Sequence, residues 1–167
     1  MPSEAPESNA AREYEPVYLV RDLEITFDAP PERAWPHVVD YSSWQDYPTV
    51  QHVSGEPGQE GELVLMEKAG VAAPYYTKTI KLEPGRRIVW KCYPATPTEG
   101  NDYFGFVDFQ VIGVEGGACF RSQAIFEFMV PYDNESDLDA FREQLSAGEE
   151  KLLVSMQRLK ALVDGVS

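Results

Sequence analysis

Residues 136–164, SDLDAFREQLSAGEEKLLVSMQRLKALVD, decide the fold. Leu138, Phe141, Leu145, Leu152, Met156, Leu159 and Val163 recur at helical spacing and fall on one stripe of a single α-helix. Ser136 followed by Asp139 predicts a capping box, and acids near the start with Arg158 and Lys160 near the end suit the helix dipole. Gly165 is placed to stop it. Such a helix is about 40 Å long at about 1.5 Å per residue, enough to cross a whole sheet. Ala147 and Gly148 interrupt the bulky stripe, which leaves either room beneath the helix for a ligand or freedom to kink.

A long helix with one apolar stripe needs a broad apolar partner, and the residues before it supply one. Leu19, Leu23, Ile25 and Phe27 alternate with Val20, Asp22, Glu24 and Thr26, the period of a half-buried strand starting near Val17. Arg21 shares the parity of the apolar set, so it lies at a strand end or reaches into the interior. Residues 31–40 form a short helix that tolerates Pro36 in its first turns, and 41–48 a second one, with Trp44 and Tyr47 as anchors and Pro48 as its end. Strands follow at 49–55, 61–68, 75–82, 87–93, 103–114 and 118–130. Pro84 and Gly85 occupy the centre of a type II turn, and Glu115-Gly116-Gly117 is a tight connection. Consecutive strands joined this way make an antiparallel meander.

The predicted class is α+β: a curved antiparallel sheet of about seven strands, two short helices, and the long C-terminal helix packed across the concave face. A twisted sheet curls, so a straight helix laid over it touches the rims better than the middle. The space between is filled by large side chains or left as a hollow. Alternation puts Leu23, Ile25, Ile80, Leu82, Ile88, Trp90, Val107, Phe109, Ala124, Phe126 and Phe128 on that face, while Asp108, Gln110, Arg121 and Glu127 point to solvent.

At 167 residues the chain has the length of one domain, large enough to hold a core without a staple. Residues 1–16 read as a disordered or loosely attached tail and 17–167 as a single domain. With 14 Lys+Arg against 28 Asp+Glu, the net charge of -14 repels phosphate backbones and anionic lipid. Nucleic acid is therefore no expected partner, and no apolar run is long enough for a membrane helix. Cys92 and Cys119 sit in strand-like stretches without metal-ligand spacing, so buried free thiols, no metal and a cytoplasmic location are expected, with no leader sequence visible at the start. His37 and His52 have no nucleophile in a recognisable motif, and GEPGQEGE (55–62) is an acidic turn with no helix after it, unlike a phosphate loop.

The stretch ITFDAPPERAWPHVVDYSSWQDYP (25–48) carries Ala29, Pro30, Val38, Asp40, Trp44, Tyr47 and Pro48 in an order that resembles the opening of the START-like, Bet v 1-like (SRPBCC, polyketide cyclase/dehydratase) superfamily. LEPGRRIVW (82–90) is similar to its central hairpin, and EEKLLVSMQRLKALV (149–163) to its last helix. The likeness spans 17–164 and its motifs are structural. It implies a cavity framed by loops 69–74 and 94–102 and the start of the last helix.

Such pockets fix orientation with a few polar groups on apolar walls. Tyr76, Lys78, Tyr103 and Arg21 are the polar candidates; Trp90, Phe109, Phe126, Phe128 and the adaptable Met156 are the apolar ones. Binding or transport of a small hydrophobic molecule, whether aromatic, polyketide or lipid-like, is the leading expectation, without a cofactor and as monomer or homodimer. An aromatase/cyclase working in the same cavity is the alternative that the resemblance implies. A protein-interaction role, such as a co-chaperone's, is a third reading, which an exposed apolar patch of several hundred Å² would favour.

Overall fold

The computed structural model describes residues 13–43, 49–67, 73–98 and 101–165. Strands β1 (Tyr14–Phe27), β2 (Thr49–Ser54), β3 (Leu63–Glu67), β4 (Tyr75–Glu83), β5 (Arg87–Pro94), β6 (Tyr103–Val114) and β7 (Gly117–Pro131) form one antiparallel sheet. Helix α1 (Pro31–Val39), a 3-10 turn (Tyr41–Ser43) and helix α2 (Glu135–Asp164) complete the chain. Trp44, Tyr47 and Pro48, most of the expected tail, and parts of the loops at 69–74 and 94–102 lie outside the described residues.

The spatial order is β1-β7-β6-β5-β4-β3-β2. Every neighbour is a sequence neighbour except β1, which pairs with β7. The chain therefore leaves β1, passes through α1 to the opposite edge, and returns by hairpins. Gly85 (φ 79°) permits the β4–β5 turn, in which the Arg86 amide donates to the Glu83 carbonyl at 3.0 Å, as Pro84-Gly85 predicts. β1 starts at Tyr14, before Val17, because Tyr14, Glu15 and Pro16 continue the ladder against Pro131, Val130 and Met129. Pro16 is tolerated because β1 is an edge strand.

Two local expectations are corrected. Ile80 is exposed, not on the concave face: the β4–β5 register shifts between Thr79 and Lys81, and Ile80 is the extra residue. A bulge reverses the phase of alternation, so Thr77 and Thr79 turn inward above it and Leu82 packs inward below it. The cap of α2 is Asn134, not Ser136. The Asn134 side chain accepts from the Ser136 amide at 2.9 Å, and the Asp137 carboxylate accepts from the Asn134 amide at 3.4 Å. Gly165 (φ 70°) ends the helix as expected.

The C-terminal half of α2 closes one end of the sheet. Met156, Leu159 and Val163 are fully or almost fully buried in one cluster with Phe27, Phe109 and Phe120. Phe120 stacks on Phe27 at 6.1 Å and meets Phe109 edge-on at 5.0 Å. A polar clip pins the helix end to β1: Lys160 Nζ donates to the Thr26 carbonyl and to Asp164, both at 2.7 Å, and Asp164 accepts from the Asp28 amide at 2.9 Å. Burial raises Asp164, but the hydrogen bonds from Lys160 and the Asp28 amide outweigh it and hold the carboxyl below its ordinary range.

Candidate functional site

The other half of the concave face is only partly covered. The N-terminal half of α2 presents Phe141, Leu145 and Glu149, all half-buried, while Leu138 in its first turn is buried against Val17 and Val130. Leu19, Arg21, Leu23, Tyr103, Phe126 and Phe128 share the concave parity of the sheet and are half-buried too. Phe128 anchors an aromatic ladder, with Tyr103 at 5.4 Å, Phe126 at 5.9 Å and Phe141 of α2 edge-on at 5.3 Å. At the mouth, a cleft of about 360 Å³ runs between β7 and the start of α2. Phe128, Met129, Val130 and Phe141 give it apolar walls, and Asp102 and Gln144 a polar rim.

The expected ligand set divides along this line. Tyr103, Phe126, Phe128 and Arg21 are brought together in the half-covered trough. Trp90, Phe109 and Met156 are buried in the packed end, with Trp90 edge-on to Phe109 at 5.1 Å and against Tyr41 at 5.6 Å. Tyr76 and Lys78 are placed elsewhere. The bulge that exposes Ile80 turns both onto the convex face, where Tyr76 meets Tyr93 at 5.6 Å and Lys78 is paired with Lys91. Tyr75 packs toward the core in the position expected of Tyr76. Asp108, Gln110, Arg121 and Glu127 occupy the convex parity, as alternation predicts.

Arg21 reaches inward and forms a forked ion pair with Glu149, at 2.9 Å from Nε and 2.7 Å from Nη2. Glu149 was not among the sequence candidates, yet its position held the signal: it stands four residues after Leu145 and three before Leu152, on the apolar stripe. A carboxylate there needs a cation on the sheet, and Arg21 is the only concave-parity cation of β1. Ala147 and Gly148, expected to open space beneath α2, are exposed, and the helix runs through them unbroken.

Other buried polar groups lie on the concave face. Thr77 Oγ1 donates to Met66 Sδ at 3.0 Å and lies 3.8 Å from Cys92 Sγ. Burial pushes the Cys92 thiol up to about 11, with Thr77 and Arg21 acting the other way, so it stays protonated at neutral pH and is no nucleophile. Trp90 Nε1 and Ser122 Oγ are buried without a hydrogen-bond partner among the described residues. His52 is exposed and bonded to Glu62 at 3.1 Å, away from the trough. No group of three or more His, Cys, Asp and Glu side chains that could hold a metal ion exists among the described residues.

Gly105 sets the position of the Phe126 ring. A Cβ at Gly105 would lie 2.2 Å from Phe126 Cδ1 and 2.4 Å from Cγ, so the ring rests directly on the glycine backbone. Gly105→Ala is expected to swing Phe126 into the trough and to cost about 1–2 kcal/mol of stability. A denaturation curve checks the cost, and the near-ultraviolet circular dichroism spectrum checks the ring.

A family model described as "Polyketide cyclase / dehydrase and lipid transport" matches residues 22–163. No curated protein matches the chain significantly. Among solved structures it is similar to the Zhui aromatase/cyclase from Streptomyces sp. R1128, with TM-score 0.66, 14% identity, and coverage of 89% of this chain and 94% of that one. It is also similar to truncated norcoclaurine synthase from Thalictrum flavum, with TM-score 0.60, 12% identity, and coverage of 90% and 96%. Ara h 8.0201 gives TM-score 0.60, 12% identity, and coverage of 88% and 98%. These identities speak for the fold alone. No helix among the described residues is long and apolar enough to cross a membrane. The match over residues 22–163, on a helix-grip architecture, makes this chain a member of the polyketide cyclase/dehydrase and lipid transport family.

Proposed function

We propose that the protein binds a small, mostly apolar molecule in the trough between β1, β7, β6 and the N-terminal half of α2. One observation carries this reading: Tyr103, Phe126, Phe128 and Phe141 lie together but each keeps part of its surface open to solvent, while aromatics at the other end of the same face are sealed. An aromatic or lipid-like guest would bury this surface at roughly 25 cal/mol per Å². Arg21 is already answered by Glu149, so the trough has no lone charge for a ligand anion to neutralise. Neutral carbonyl or phenol groups suit it better than a free carboxylate.

Native mass spectrometry of the purified protein, followed by titration with a fluorescent naphthalene sulfonamide probe, tests the proposal. A retained guest or saturable probe binding is expected, with Phe128→Ala weakening the probe about tenfold. Absence of both, in protein shown to be folded, overturns it.

A second reading, an aromatase/cyclase, is favoured by the Arg21–Glu149 pair beside the aromatic ladder and by the likeness to an aromatase/cyclase. A polyketone folded against Phe126 and Phe128 would place an enolising carbonyl near the guanidinium. Turnover that is abolished in Arg21→Met while probe binding persists supports it; turnover unchanged by that substitution removes Arg21 from the chemistry.

A further inference from the structure

One face of the Phe126 ring is sealed by a glycine. Gly105 of β6 stands opposite Phe126 of β7 and beside Cys92 of β5, on the concave side. The point that a Cβ would occupy on Gly105 lies 2.4, 2.2 and 2.6 Å from Cγ, Cδ1 and Cε1 of Phe126, three successive ring atoms. A point in the plane of the ring would be much farther from Cγ and Cε1 than from Cδ1. Distances this nearly equal put it beneath the face of the ring. Phe126 therefore lies flat across the backbone of β6 instead of standing up from the sheet, and only a residue without a side chain allows that approach.

Lying flat fixes which part of the ring stays open. Phe126 is half-buried with its lower face on Gly105, so the surface it keeps is the opposite face and the rim, turned into the trough. Phe128, the next concave residue of β7, is inclined to it by only 25° at 5.9 Å, so the two ring faces turn nearly the same way. Tyr103 stands beside them, 6.3 Å from Phe126 and 5.4 Å from Phe128, and Phe141 meets Phe128 edge-on from α2. The packed end of the same sheet is arranged differently. There Phe109 meets Trp90 at 80° and Phe120 at 89°, and all three are buried, so no ring face is left over. A free ring face carries the negative side of the aromatic quadrupole and favours offset contact with another flat ring. An acyl chain gains from it only the burial of apolar area, which any aliphatic wall supplies equally.

We propose that Phe126, laid flat by Gly105, is a stacking platform through which the trough selects flat fused-ring aromatic guests over flexible acyl chains. Gly105 and Phe126 are then specificity-determining residues. This selectivity rests on the reading of the trough as the binding site.

Fluorescence titration of the full chain with 1-aminoanthracene, a flat neutral ring system, and its displacement by 1-decanol, a neutral chain, test it. The original protein is expected to hold 1-aminoanthracene about tenfold more tightly than 1-decanol. Phe126→Leu keeps an apolar side chain but removes the flat face. It is expected to weaken 1-aminoanthracene about fivefold and to leave 1-decanol within about twofold. Gly105→Ala, which lifts the ring into the trough, is expected to weaken both probes, and adding Phe126→Leu to it is expected to restore 1-decanol alone. Thermal unfolding checks that each variant is folded. A tighter hold on 1-decanol by the original protein, or Phe126→Leu acting on both probes alike or on neither, overturns the platform and leaves the trough standing as a binding site. Saturable binding of neither probe by folded protein overturns the trough reading and the platform together.

Discussion

Phe120→Ala is expected to destabilise the protein by about 3–5 kcal/mol, with the midpoint of thermal unfolding falling on the order of 10 °C. The ring is fully buried, stacked on Phe27 and edge-on to Phe109, and the helix residues above it, Met156 and Leu159, are also sealed from solvent. Deleting it removes apolar area from the core and leaves a void that the surrounding strands cannot close, because Phe120 is paired on both sides, with Val111 and with Ile25. Leu162→Ala, on the exposed side of α2, is the matching control, expected to change stability by no more than about 0.5 kcal/mol. Urea unfolding of the two variants measures the difference. A loss below about 1.5 kcal/mol for Phe120→Ala would mean that this end of the sheet adapts its packing, and that the hollow extends the full length of α2.

That division into a packed end and an open end was only partly legible in the sequence. The strands, their order and the long helix followed from alternation, turn residues and the apolar stripe, since these signals are local and each is repeated. Trp90, Phe109, Phe126 and Phe128 all read as concave, and all are, with Met156 facing the sheet from α2, but periodicity reports the face and not the position along the strand. Whether a concave aromatic is sealed or half-exposed depends on where α2 passes, which is a long-range property. Tyr76 and Ile80 failed for a more specific reason. One extra residue in β4 reverses the phase, and neither Gly nor Pro marks the bulge. The hydroxyls of Thr77 and Thr79 also disguised their burial, because threonine at alternate positions reads as a solvent face. Asn134 and Asp137 are masked as a helix cap because Ser136 and Asp139 repeat the same pattern two residues later.

Glu149→Leu should cost about 2–3 kcal/mol, whereas Arg21→Met with Glu149→Leu together should come within about 1 kcal/mol of the original protein. The pair is forked, with its side chains only 13% and 23% exposed, so each charge has lost much of its water and depends on the other. Removing Glu149 strands a guanidinium that cannot shed its charge in a half-buried site lined by Leu19, Leu23 and Leu145. Removing Arg21 alone costs less, because a lone carboxylate has proton uptake as an escape. Replacing both with apolar groups abolishes the desolvation problem and extends the stripe of α2 from Leu145 to Leu152 without a break. Urea unfolding of the four proteins closes the cycle, and a coupling below about 0.5 kcal/mol would show that solvent screens the pair. The same four proteins separate stability from function. The apolar double variant keeps the helix in place over the trough, so any change in its preference between hydrocarbon and carbonyl-bearing aromatic probes belongs to the lost polar pair. If the Arg21–Glu149 pair serves only to dock α2, the double variant binds both kinds of probe as the original does. If the pair orients a guest, binding of the carbonyl-bearing probe falls while that of the hydrocarbon probe holds or tightens.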